Sequence, residues 1–381
     1  MKKLLIFPFD LLAHYVRCIE LTKLYKESYE ISFLYSPSYN HLVEKAGFKS
    51  FNCKTFCGKS VIKKAERFDF SWLNQHDIAD ISIEQYRAII QHQPDLVLGD
   101  AMPTLKIACE LTGVKYRSLL NAYMTNYYQP TRKLSRAHFA YPLFCLLPEN
   151  FRNKAVSFFE ALKMEDVHQP FKLIREELGL QEVDDFLSEL EGDENLICDD
   201  IDIFKTLGLP SNFKVIGPLV PKNEDQDDVL NEINPSKKTI AVCIGSSGNY
   251  KKLKWLESNE YNRYNIVVCG TNAHQLEADH IISKNWINLD SVLPKTSLFI
   301  CHAGNGTVYK GIEHGCKMLF CTNHFEQEWN AQSFEAAGFG LDISEYAEEE
   351  VLAQIETILE TYEPVITNLK YNINNHNALW I

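Results

Sequence analysis

The sequence predicts an α/β protein of two doubly wound domains, each a parallel sheet covered by helices on both faces. Short apolar runs alternate with stretches of helical periodicity from the first residues, and the alternation begins again in the second half. At 381 residues the chain is too long for one ordinary core. Between the halves lies KNEDQDDVLNEINPSKK, acidic and poor in apolar residues, as interdomain linkers are. These observations place one domain at 1–218, a linker at 219–236, a second domain at 237–362 and a closing helix at 363–381.

In the first half, Lys3 to Phe9 reads as a buried strand, Asp10 to Ala13 as a turn, and the helix from about His14 carries Val16, Ile19, Leu21 and Leu24 at helical spacing. EISFLYS is the next strand, followed by a helix closed by Gly47. The stretch from Phe51 to Asp80 lacks regular pattern and is aromatic, with Phe56, Phe68, Phe70 and Trp72. A helix from Ile83 to His92 leads into DLVLGD, a strand ending in Asp100; PTLKIACELTG is helical and KYRSLLN a strand. Residues 122–148 are again irregular and aromatic, so these two loops either line an apolar cleft or fill space. A polar helix from Lys172 and short strands in ENLICDD and FKVIGPL complete this half. DDID at Asp199 to Asp202 reads as a surface turn.

In the second half TIAVCIG is a strand ending at Gly245, and the turn Ser246 to Gly248 opens a helix with Leu253 and Trp255. IVVCGT, a short strand at Trp286 to Leu289, SLFICH, KMLFCT and GLDI follow. A helix from Glu348 to Leu359 has Val351, Ile355 and Ile358 on one face, and a last helix follows Pro364. Leu298 to Cys301 runs into His302, turns through Gly304, Asn305 and Gly306, and enters a helix at Thr307. A strand, a small-residue turn and a helix start present backbone N–H groups at a positive helix end, where phosphate binds, and Thr307 adds a hydroxyl.

The net charge of −13 argues against a nucleic-acid partner. LLIFPF is too short for a membrane span or a signal peptide, which implies a cytoplasmic protein without a transmembrane segment. Eleven cysteines occur singly with no zinc-site spacing, so no metal site is expected and they read as reduced and mostly buried.

Trp286 stands sixteen residues before His302, Leu293 lies between them, HAGNGT spans His302 to Thr307, and Glu326, Gln327, Asn330 and Ala331 follow. With FPFDLLAHYVRCIEL at the start and VIGPL at Val215 to Leu219, this series resembles the family-1 glycosyltransferases of GT-B fold, in its bacterial natural-product branch. The resemblance implies two Rossmann-like domains facing across a cleft, with the last helix crossing back to the first domain. It also implies an amino-terminal domain for the acceptor and a carboxy-terminal domain for a UDP- or dTDP-sugar. The reaction it implies is an inverting, metal-independent transfer to a hydroxyl or amine of a small hydrophobic acceptor, with no cofactor.

By that resemblance His14 is the general base, since imidazole titrates near working pH; an ordinary helix-start histidine is the bland alternative. Asp100 is the candidate to orient it, although relatives with a clear dyad place the acid a few residues later, where this chain reads MPTLK. Asp10 is a second possible base. The diphosphate would rest on the N–H groups of Asn305, Gly306 and Thr307, on His302, and on Gly245, Ser246 or Ser247, beside Gly304. Trp286, next to Ile287, would stack on the nucleotide base or else be buried. Glu326 and Gln327 would bind sugar hydroxyls, and Phe70, Tyr123, Tyr127 and Phe325 would line the acceptor site. Many relatives hold the ribose with a glutamate where this chain has Lys310, which cannot accept those hydrogen bonds. Leu289 likewise replaces a glutamine of the plant members. A nucleotide-sugar epimerase-like enzyme and a non-catalytic subunit of the same fold are the alternatives.

Overall fold

The computed structural model describes residues 1–361 apart from Cys145, Ser246 and Ser247. The closing helix expected at 363–381 lies outside the described residues. The chain divides into two compact units, the first running from Met1 to Pro221 and the second beginning at Lys222.

In the first unit the strands are β1 (Lys2–Pro8), β2 (Tyr29–Leu34), β3 (Lys49–Phe51), β4 (Leu96–Asp100), β5 (Tyr116–Leu120), β6 (Glu194–Ile197) and β7 (Phe213–Val215). The helices are α1 (Leu12–Thr22), α2 (Asn40–Lys45), α3 (Gly58–Ala65), α4 (Gln75–His92), α5 (Leu105–Thr112), α6 (Tyr141–Phe144), α7 (Glu149–Leu178) and α8 (Phe186–Glu189). The sheet runs β3-β2-β1-β4-β5-β6-β7, all parallel. Its order reverses between β1 and β4, whose register pairs Pro8 with Asp100. Leu4, Ile6, Leu96, Leu98 and Leu119 of the sheet pack against Tyr15, Cys18 and Leu21 of α1, all buried. Continuous apolar strands of this kind are what a sheet buried on both faces requires.

The second unit has β8 (Thr239–Cys243), β9 (Asn265–Cys269), β10 (Ile281–Lys284), β11 (Leu298–Cys301), β12 (Met318–Phe320) and β13 (Gly340–Asp342). Its helices are α9 (Leu289–Val292), α10 (Asn305–Glu313), α11 (Phe325–Ala336) and α12 (Glu348–Thr361). The parallel order is β10-β9-β8-β11-β12-β13, with the reversal between β8 and β11. Doubly wound sheets bind ligands at such a reversal, beyond the carboxyl ends of the two strands that flank it.

Several segments differ from expectation. The aromatic stretch from Phe51 to Asp80 contains α3 and the start of α4, which is capped where the Asn74 side chain accepts the Asp77 N–H at 3.0 Å. The helix expected from Lys172 begins at Glu149, directly after the second aromatic region, which itself contains the short α6. Trp286 to Leu289 is not a strand. The strand is β10 just before it, and Asn288 instead caps α9 by accepting the Asp290 N–H at 3.1 Å. The helix expected after Gly248 consists of 3-10 turns from Tyr250 to Glu257. Asp199 of the DDID segment is fully buried rather than at the surface.

The acidic segment that opens the second unit is tied down by side chains. Asn223 N–H donates to the Asp290 carboxylate (2.7 Å), Asp227 N–H to Ser291 (3.0 Å) and Asn288 N–H to Asp227 (2.5 Å), while Val229 is buried.

The carboxy-terminal half of α7 is anchored by charge. The buried Arg175 guanidinium donates to both oxygens of the buried Glu189 (2.7 Å each) and to Glu110 (2.7 Å). Removing the carboxylate strands a buried cation. Glu189→Ala is therefore expected to lower unfolding free energy by about 3–5 kcal/mol in a denaturant titration, whereas loss of an exposed pair such as Lys49–Glu30 leaves the titration nearly unchanged.

Candidate active site

At the reversal in the first unit, β1 leads through a short turn into α1 and β4 ends at Asp100. Asp100 is completely buried, so its charge requires compensation. Arg17 supplies it: Nε donates to Oδ2 at 2.5 Å and Nη2 to Oδ1. His14, one turn earlier on the same face of α1, places Nδ1 3.0 Å from Asp100 Oδ1. Burial by itself would raise the Asp100 carboxyl, but Arg17 and then His14 outweigh it and hold it down at about 2. Arg17 Nη1 also donates to Asn121 Oδ1 (2.7 Å), and the Asn121 amide donates to Asp199 (3.1 Å).

His14 Nδ1 also lies 3.1 Å from Arg17 Nη2. A guanidinium cannot accept, and Asp100 accepts from Nη2. A proton on Nδ1, directed at the Asp100 carboxylate, sets a donor against the anion where the other tautomer would oppose two lone pairs, and it leaves the Nε2 lone pair available. The His14 side chain keeps 14% of its surface exposed, so part of the ring is open to a reactant.

Asp10 is turned to other work, accepting from the Ser36 hydroxyl (2.7 Å) and the Gly58 N–H (3.2 Å). An apolar wall stands beside His14: Phe9 lies 5.8 Å from its ring, and Phe9, Phe56 and Trp72 pack together. Of the four aromatics named as acceptor contacts, Tyr123 is close enough to act on the charge of Arg17. Phe70 packs on Phe68 and under the Lys163 ammonium, and Tyr127 packs on Phe213. Tyr123 is buried against Phe204, and Phe325 meets Trp329 edge-on in the second unit.

In the second unit β8 ends before Gly245 and β11 before His302. The His302 ring is wedged between two glycines. A Cβ on Gly245 would come within 2.8 Å of the ring and one on Gly304 closer still, and Gly245 also has φ +67°. His302 Nδ1 faces the Cys243 carbonyl oxygen at 3.4 Å. Desolvation pulls the imidazole down to about 4, so it is neutral at pH 7. Gly304 caps α10, and the Thr307 N–H donates to the Gly304 carbonyl (3.0 Å). That closes the first turn, so this N–H does not face outward as the sequence suggested, while Gly306 is exposed with open space around it.

Glu326 is half-buried at the start of α11, close enough to act on the charge of His302. Gln327 is buried, and its carbonyl accepts the Asn323 N–H at 2.8 Å. Trp286 is 69% exposed and Ile287 is buried. Ser246 and Ser247 lie outside the described residues. The Lys310 ammonium is held by both oxygens of Asp290 (2.6 and 2.5 Å), with His314 on the same carboxylate at 3.1 Å.

Two neighbours were not singled out from sequence. Arg17 was legible as the i+3 partner of His14. His324, buried at the cap of α11 with no hydrogen-bond partner for Nδ1 among the described residues, acts on the charge of His302. Its one signal was its place two residues before Glu326.

The glycosyltransferase family 28 C-terminal domain matches residues 226–376. A PGL/p-HBAD biosynthesis rhamnosyltransferase of Mycobacterium bovis is 23% identical over 347 residues, 87% of this chain and 74% of that protein. Among solved structures, the glycotransferase of kitacinnamycin superposes with a TM-score of 0.69 at 16% identity, covering 96% of this chain and 92% of the other. Spinosyn rhamnosyltransferase SpnG complexed with thymidine diphosphate gives 0.62 at 15% identity, covering 94% and 92%. These similarities show a shared two-domain fold.

The depressed His302 pKa has a measurable consequence. An imidazole that titrates near 6.5 in the unfolded chain and near 4 in the folded one lets the unfolded state bind more protons between those values. Its contribution to stability is present above about pH 6.5 and is lost as pH falls towards 4. The His302 C–H resonance is expected to titrate well below those of exposed histidines, and His302→Gln to flatten this part of the stability–pH curve.

Proposed function

We propose that this chain, a glycosyltransferase of GT-B fold similar to family 1, moves a sugar from a UDP- or dTDP-sugar to a hydroxyl or amine of a small hydrophobic acceptor, with inversion and without a metal, using His14 as general base. The observation that carries the reading is the pairing of His14 Nδ1 with the buried, ionised Asp100 carboxylate at 3.0 Å.

In this scheme Asp100 fixes the tautomer that leaves Nε2 unprotonated. Nε2 takes the proton of the acceptor hydroxyl as its oxygen forms the new bond to the anomeric carbon. The bond from that carbon to the diphosphate oxygen breaks on the opposite face, and its electron pair leaves on the diphosphate. Asp100 stabilises the imidazolium that results, and the apolar wall of Phe9, Phe56 and Trp72 excludes water and receives an apolar acceptor.

The departing charge falls on the start of α10, where the helix dipole, the Gly306 N–H and the Thr307 hydroxyl are fixed before reaction begins. His302, neutral when the site is empty, would gain a proton beside a diphosphate. The exposed indole of Trp286 offers a face to the nucleotide base. The SpnG complex with thymidine diphosphate favours a dTDP-sugar as the first donor to try. The commitment of Lys310 to Asp290 leaves the ribose to other groups.

His14→Ala is expected to lower kcat/KM by about 10²- to 10⁴-fold in a donor-consumption assay with dTDP- and UDP-sugars. Thermal stabilisation of the protein by dTDP or UDP should stay as in the wild type, since that site lies in the other unit. Full activity in His14→Ala would overturn the assignment of the base.

A further inference from the structure

Three cysteines stand side by side where strands of the second unit end. The register pairs Cys301 of β11 with Cys243 of β8, and Cys243 with Cys269 of β9. Residues in register on neighbouring parallel strands point to the same face of the sheet, with Cα atoms about 4.8 Å apart. That spacing falls within the roughly 4.4–6.8 Å that a disulfide spans. Cys301 is fully buried, and its sulfur is committed to the Ala303 N–H. The Cys269 thiol, also buried, donates instead to the Cys243 sulfur. Of the three, Cys243 alone is part-exposed.

Cys243 is the more readily ionised member of the hydrogen-bonded pair. The bond from Cys269, and with it the Gly245 N–H, lowers its pKa against the opposing effect of burial, while Cys269, as the donor, is raised. An accessible thiol of low pKa with a second thiol against it is the arrangement of redox-sensing cysteines. Both residues are also attached to the candidate donor site. The Cys243 carbonyl faces His302 Nδ1 at 3.4 Å, and the Gly245 that bonds the Cys243 sulfur lies against the His302 ring. The Tyr250 hydroxyl donates to the Cys269 carbonyl. Each cysteine therefore holds one end of the segment from Gly245 to Tyr250.

We propose that Cys243 and Cys269 are a peroxide-sensitive dithiol whose oxidation to a disulfide weakens donor binding at the start of α10. The Cys243 thiolate attacks one oxygen of the peroxide, the O–O bond breaks and hydroxide leaves, which gives a sulfenic acid. Cys269 yields its proton to that hydroxide and attacks the Cys243 sulfur, and the S–O bond breaks. Hydrogen peroxide is thereby reduced to one water and one hydroxide as the two sulfurs are oxidised. The Cys243 sulfur gives up the Gly245 N–H as it turns to Cys269, which releases the glycine that presses on His302. The effect on binding rests on the donor site proposed above, whereas formation of the bond does not.

The reduced full chain is treated with hydrogen peroxide and digested without reductant, and linked peptides are identified by mass spectrometry. Calorimetry measures dTDP and UDP binding before and after oxidation. A Cys243–Cys269 link is expected, with nucleotide affinity lowered about tenfold and restored by dithiothreitol. Cys269→Ser should leave Cys243 as a sulfenic acid that dimedone captures, and Cys243→Ser should keep its nucleotide binding after peroxide. Absence of the link, or a link from Cys243 to Cys301 in its place, would overturn the assignment of the pair. A link that forms and leaves nucleotide affinity unchanged would overturn its control of the site. If the link forms but the reduced chain binds neither nucleotide, the donor-site reading fails and the effect on binding with it, while the dithiol assignment holds.

Discussion

A carboxylate with no solvent contact at the end of β4 sets the terms for the first unit. Asp100 is ionised in a dry environment, and such a charge persists only where cations and donors surround it. Arg17 and His14 reach it from α1, and Arg17 is held in turn by Asn121, which follows β5 and leans on Asp199, which follows β6. One buried charge thus fixes the relative placement of the chain beyond β1, β4, β5 and β6. The same requirement sets the orientation of the His14 ring, the property a base needs most.

The two units solve the same topological problem with opposite electrostatics. In each, a parallel sheet reverses order beside its first strand, and the strand across the reversal ends in a functional candidate, Asp100 in one and His302 in the other. In each, the next residue is an alanine in the left-handed region, Ala101 at φ 50° and Ala303 at φ 59°, a conformation that costs about 1 kcal/mol for a residue with a Cβ. Both alanines are buried, and the turn they make aims the preceding side chain out of the strand end. There the parallel ends. His14 is given an anion to lean on, whereas His302 is desolvated between two glycines, beside a helix start whose dipole favours negative charge.

How legible these features were in the sequence follows from their physics. The inner strands of both sheets could be read because a strand buried on both faces must be a continuous apolar run, as in DLVLGD and SLFICH. β3 and β10 escaped because edge strands are short and part-exposed, with polar residues mixed in. The aromatic stretches hid α3, the start of α4 and α6, since rings that pack on one another need not follow a helical period.

By itself the sequence determined the fold class, the order of the strands' chemistry and the identity of the residues at the strand ends. Those depend on local patterns of apolarity, glycine and chain direction. Only the tertiary structure decided what each of those residues faces. The sequence offered Asp100 as the acid to orient His14, but the contact itself, between residues eighty-six apart in the chain, depends on β1 and β4 lying side by side. Aromatic residues named from the same loops were separated, Trp72 to the wall beside His14 and Phe70 to Lys163. Pairing across a sheet and burial of charge are long-range properties, set by which strands lie side by side.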